Sequence, residues 1–103
     1  DTKLLQDWYL AGNWGTDTWD EGAIKFERQG DVLVATINKE LKANDSIEYK
    51  IKPSPSWKPW HMIFNGEVYS DTSANAVYTL KSDTEELTFK FHPKISSIEF
   101  EEK

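Results

Sequence analysis

Apolar residues in this chain recur at every second position in short runs, and no stretch holds the three-to-four spacing of a convincing helix. From Leu87 to Phe91, the residues Leu87, Phe89 and Phe91 alternate with Thr88 and Lys90. Ile47, Tyr49 and Ile51 alternate in the same way with Glu48, Lys50 and Lys52, giving one apolar and one charged face. Ala23 to Arg28 reads as a strand with Ile24 and Phe26 inward, and Val32 to Asn38, apolar on both faces, reads as a central one. Shorter strands are expected around Trp8 to Leu10, His61 to Phe64, Glu67 to Tyr69, Ala76 to Lys81 and Ile98 to Phe100. Lys39 to Ala43 has room for one helical turn, but it is too short and polar for that reading to carry weight.

Turn signals fall every eight to twelve residues or so between these runs. Gln29-Gly30-Asp31 is compact, and Asn65-Gly66 is the strongest hairpin signal because both positions tolerate positive φ. The pattern predicts one all-β domain over residues 1–103, an immunoglobulin-like antiparallel β-sandwich of about seven to eight short strands. With no cysteine, neither a disulfide framework nor a thiolate metal site is available.

The strand at Ile47 runs into Pro53 and Pro55, which end its ladder because proline has no N–H to donate. Trp57 and Trp60 follow at once, separated by Lys58 and Pro59. Loops on a β scaffold are where binding groups tend to sit. The chain carries five tryptophans and 14% aromatic residues, more large rings than so small a core would usually hold. Some are therefore expected at a surface that recognises something. Trp14, between Asn13 and Gly15 in a long turn-rich loop, is expected to be exposed, whereas Trp8 in its strand is expected to pack in the core. Trp19 is placed either to touch a ligand or to pin its loop to the sheet, and Trp60 either to touch a ligand or to be carried inward by the next strand.

Eighteen acidic against twelve basic residues give a formal charge of −6. That argues against a nucleic-acid backbone as partner, because phosphate binding needs net or clustered positive charge. It also speaks against an anionic membrane surface, and no apolar run is long enough to insert in one. A flat, neutral, partly apolar ligand suits the tryptophan loop better, and a carbohydrate fits best: indoles meet the C–H face of a sugar, while Lys, Asn and Asp meet its hydroxyls.

Three blocks then point to a family. WYLAGNWGTDTWDEGAIKF, IEYKIKPSPSW and NAVYTLKSDTEELTFKF, in that order, resemble the starch-binding repeats of the outer-membrane lipoproteins SusE and SusF. More distantly, the first two resemble the starch- and glycogen-binding modules attached to amylases and branching enzymes. The likeness spans Trp8 to about Phe91 and departs from the pattern at Thr18 and Asn75, where the family usually has glycine. It implies a noncatalytic module for starch or related α-glucans, tethered to other domains and held on a bacterial cell surface or secreted. It places a stacking ring at Trp57, a loop tryptophan at Trp19 and a hydrogen-bond donor at Lys50. Asn75 and Asp71, in the loop before the last hairpin, are positioned to close the site from its other side.

Other chemistries are less well served. Asp17, Asp20 and Glu21 lack a calcium-loop spacing and read as an acidic turn, and His61 and His92 lie too far apart in sequence to suggest zinc. No carboxylate stands in an apolar context that would raise its pKa for acid catalysis, so neither an enzyme nor a cofactor is expected. The competing readings are an immunoglobulin-like spacer or protein-interaction domain with its tryptophans between domains, and the same module tuned to another plant glycan.

Overall fold

The computed structural model describes residues 6–57, 62–66, 69–70 and 74–103. They form ten strands and no α-helix: β1 (Tyr9–Gly12), β2 (Ile24–Lys25), β3 (Glu27–Gln29), β4 (Val32–Leu41), β5 (Ser46–Lys52), β6 (Ile63–Phe64), β7 (Tyr69–Ser70), β8 (Ala76–Thr79), β9 (Thr84–His92) and β10 (Ser97–Glu102). All pairings are antiparallel. One sheet runs β2-β1-β5-β6-β7, with β8 also on β5, and the other runs β10-β9-β4-β3. The two pack as a sandwich, as the alternation predicts.

The strand count exceeds the expected seven or eight partly because Ala23 to Arg28 is two strands. Ile24 and Lys25 pair with β1 in the first sheet, while Glu27 to Gln29 pair with β4 in the second. Phe26 is the corner between them. Its N–H donates to the Trp8 carbonyl at 2.9 Å, and its ring is buried 5.8 Å from that of Phe91.

Lys39 to Ala43 forms no helical turn. β4 continues to Leu41, which pairs with Thr84 and buries its side chain. Between Asn38↔Glu86 and Leu41↔Thr84 the register shifts by one residue, a bulge that keeps β4 paired with β9. A long partner strand outweighs the weak local preference of a short polar segment. The hairpin at Asn65-Gly66 is present, with Gly66 at φ 94°, but its innermost pair is Phe64↔Tyr69. Four positions rather than two therefore separate its strands.

Between the sheets lie Trp8, Leu10, Ile47, Tyr49, Ile51, Phe64, Leu87, Phe89 and Phe91, among others. Trp8 is in the core, as expected, with its ring edge-on to Phe91 at 5.4 Å and 5.7 Å from Tyr69. Burial of rings of this size is the largest single contribution a core this small has, at about 3–5 kcal/mol for each one cut to alanine.

β5 is the strand that positions the candidate site. β1 lies along one side of it; on the other, β8 covers Ser46 to Tyr49 and β6 takes over at Ile51. Lys50 falls where the neighbouring strand changes.

Candidate ligand-binding site

Ile47, Tyr49 and Ile51 fill the core, so Glu48, Lys50 and Lys52 share the opposite face of β5. Alternation alone makes that face solvated. In the structure only Glu48 is: Lys50 is 7% exposed and Lys52 is fully buried. The cause is the chain beyond Lys52. The prolines stop the ladder, and residues 53–57 return over the end of β5, where the Lys52 ammonium donates to the Pro55 carbonyl at 3.0 Å.

A second loop, residues 13–22, meets the first over the same spot. It is fastened to the sheet at its root. The Asn13 N–H donates to the Glu48 carbonyl (3.1 Å), and the Glu48 N–H returns a bond to Asn13 Oδ1 (3.0 Å). Thr18 is buried, and its hydroxyl lies within hydrogen-bonding reach of the Gly12 and Gly15 carbonyls. This loop brings the Trp19 carbonyl to the Lys52 ammonium, which donates to it at 2.9 Å.

The ammonium is thus a clip between two loops. Its third contact is the face of the Trp57 indole, whose centroid lies 4.1 Å away. A charge taken out of water needs such partners, and an indole face is the best of the aromatic ones. Burial draws the Lys52 pKa below the ordinary lysine value, with the Asp20 carboxylate opposing the shift. Asp20 also accepts a hydrogen bond from Trp57 Nε1 at 2.7 Å, fixing the ring in its plane. Lys50 lies further along, 5.8 Å from the same ring, its pKa likewise lowered by burial.

Trp19 and Trp57 end as neighbours, with centroids 6.2 Å apart and planes tilted by 35°. Both are half-buried. With Lys52 against it, one face of Trp57 is taken up by the protein itself.

The expected site residues therefore divide. Trp57, Trp19 and Lys50 come together. Trp14 does not join them: it is 8% exposed and belongs to the core. Its expected exposure is corrected by Gly12, whose missing side chain leaves the slot the indole fills. A Cβ on Gly12 would collide with the Trp14 ring and lie 2.5 Å from the Glu48 carbonyl oxygen. Asn75 is exposed, donates to Glu48 Oε1 at 3.3 Å, and lines a separate groove around Tyr49 and Gly66. Trp60 and Asp71 lie outside the described residues.

Lys52 and Asp20 are the members that sequence reasoning missed, one read only as part of a charged strand face and the other as part of an acidic turn. The available signal was a lysine placed directly before the proline break. Among the described residues, no group of three or more His, Asp or Glu side chains is placed to hold a metal ion. No protein-family model, curated protein or solved structure matches this chain.

Proposed function

We propose that this chain is a noncatalytic carbohydrate-binding module that takes starch or a related α-glucan on the Trp19–Trp57 pair. The observation that carries the reading is the geometry of the two indoles, 6.2 Å apart and tilted by 35°, held from beneath by a buried lysine. In this reading the tilted pair forms a concave platform. That shape suits a chain whose successive sugar rings turn, as in an α-1,4-linked glucan, better than a flat ribbon.

The rings supply apolar contact and polarised C–H interactions, about 0.5–1.5 kcal/mol each beyond area burial. Asp20, at the rim of the pair, supplies a hydroxyl acceptor. Together with two or three hydrogen bonds this amounts to roughly −4 to −8 kcal/mol, millimolar to micromolar binding. Such affinity is sufficient for a module tethered beside other sites, where linkage multiplies avidity. In keeping with the resemblance in the sequence, the setting proposed is a bacterial cell surface or a secreted multidomain protein.

Affinity electrophoresis tests the ligand class. The intact chain should be retarded in gels containing soluble starch or glycogen and should run freely through gels containing xylan or hydroxyethylcellulose. Retardation by the β-linked polymers alone would assign the pair to another plant glycan. Free migration through all of them would leave a spacer or protein-interaction role.

A further inference from the structure

A second concavity, of about 450 Å³, opens at the edge of the sandwich and shares no residue with the tryptophan pair. It lies where the Asn65-Gly66 turn meets the start of β8, and its far wall is Ile98 and Phe100 of β10. Its size is within the range of small-molecule sites, about 300–1,000 Å³.

The residue that makes it more than a surface dent is Tyr49. This side chain is 3% exposed, and its ring is wedged edge-on against Phe89 (5.1 Å) and Phe100 (5.9 Å). Its hydroxyl reaches the groove, beside Gly66, and has no hydrogen-bond partner among the described residues. Gly66 lies close by: a Cβ there would stand 3.4 Å from that hydroxyl oxygen. Among the described residues no fully buried side-chain polar atom lacks a partner, so this hydroxyl is open to the groove, where a ligand can bond it without displacing a protein partner.

We infer that this groove is a second ligand site, which takes the terminal hexose of a neutral glycan with Tyr49 Oη bonded to one of its hydroxyls. The lining names the ligand class. Among the described residues, those that line the groove carry no ionisable side chain other than the Tyr49 phenol, and the Glu48 carboxylate at the rim is engaged by Asn75, so the lining favours a neutral ligand. Asn65 and Asn75 supply amides, each able to donate and accept as vicinal hydroxyls require. Asn75 is held at the rim by its bond to Glu48. Phe100 and Ile98 supply the apolar wall for the C–H face of the ring. Burial pushes the Tyr49 pKa up to about 12, so the phenol stays a donor throughout the physiological range.

The test is NMR of the isotope-labelled chain titrated with maltotriose and with cellotriose, in the wild type, Trp57→Ala and Tyr49→Phe. In the wild type and in Trp57→Ala, the sugars should shift the Gly66 and Ala76 backbone amides and the side-chain amides of Asn65 and Asn75. Tyr49→Phe should leave the thermal midpoint unchanged and weaken those shifts about three- to tenfold, the worth of one hydrogen bond. No shift of those signals with either sugar up to about 20 mM, where a millimolar site is mostly filled, would overturn the inference. So would a Tyr49→Phe protein that binds as tightly as wild type, or one that melts early because the hydroxyl serves the fold. Loss of the groove shifts in a folded Trp57→Ala protein would make the groove part of the first site rather than a second. Failure at the tryptophan pair alone leaves the groove signals in place, so the two assignments fail separately.

Discussion

The Lys52 ammonium lies 4.1 Å from the centre of the Trp57 indole, and that contact couples the fold to the candidate site. The same cation donates to the Trp19 and Pro55 carbonyls, so one buried side chain holds both tryptophan-bearing loops against the sheet. The pair is thereby held in place by the fold itself, an arrangement that would lower the ordering cost of the proposed binding.

Lys52→Met keeps the stem of the side chain but removes the donor. Two carbonyls then lose their partner, and the variant should be less stable by about 1–3 kcal/mol in urea unfolding. Glucan affinity should fall with it, because both loops are released. A variant of unchanged stability would show that the ammonium does not fasten the loops.

Trp57→Ala and Trp57→Phe separate shielding from ligand contact. Alanine uncovers the buried ammonium and should cost about 0.5–2 kcal/mol of stability, while phenylalanine keeps an aromatic face over it and should cost less. Equal thermal midpoints for wild type and Trp57→Ala would mean that the ring shields nothing.

Gly12→Ala should be among the most damaging single-methyl additions in the chain. The added Cβ meets the Glu48 backbone at 2.5 Å, which cannot yield as a flexible side chain would, and it meets the Trp14 ring as well. Overpacking of this kind costs about 1–3 kcal/mol. The double variant Gly12→Ala, Trp14→Leu should recover less than half of the loss, since the clash with the Glu48 backbone remains. Full recovery would place the strain in the ring alone.

Glu102 gives the fold a defined acid sensitivity. Its carboxylate accepts from the Tyr78 hydroxyl, from the Lys81 and Ser82 N–H groups (3.0 and 2.9 Å) and from the Ser82 hydroxyl (2.9 Å). The Tyr78 bond is the largest cause of a pKa lowered from 4.5 to about 2. A depressed carboxylate pKa means that the unfolded chain binds the proton more readily than the folded one. The contribution is therefore complete above pH 4.5 and is lost as the pH falls from there towards 2. Glu102→Gln should melt below wild type at neutral pH, and the two thermal midpoints should converge near pH 2. Parallel midpoint curves across that range would contradict this account.

The strands were legible because their apolar residues alternate. Leu87, Phe89 and Phe91 are buried where the pattern puts them, and so are Ile47, Tyr49 and Ile51. What alternation cannot express is a loop returning over the outer face of a strand. Glu48, Lys50 and Lys52 read as one charged face for that reason, although Lys50 and Lys52 are buried and Lys52 is held by both loops. Trp14 was misread on a similar ground: its flexible neighbours suggest exposure, while the slot it occupies is made by the absent side chain of Gly12, two residues earlier. The division at Phe26 was hidden because both halves of that run alternate in phase, and only their partners, β1 and β4, differ. Tyr49 was placed correctly in the core, but no pattern in the chain says that its hydroxyl emerges in a groove.

The most direct test of the central claim is a maltoheptaose titration followed by tryptophan fluorescence and by heat, in wild type and in Trp19→Ala. Wild type should show a saturable spectral shift and binding heat, with a Kd between about 1 μM and 1 mM and little change with added salt. Trp19→Ala leaves Trp57 over Lys52, so it should remain folded and bind at least about tenfold more weakly. No spectral change and no heat in the wild type, or undiminished binding by a folded Trp19→Ala protein, would contradict the assignment of an α-glucan to this pair.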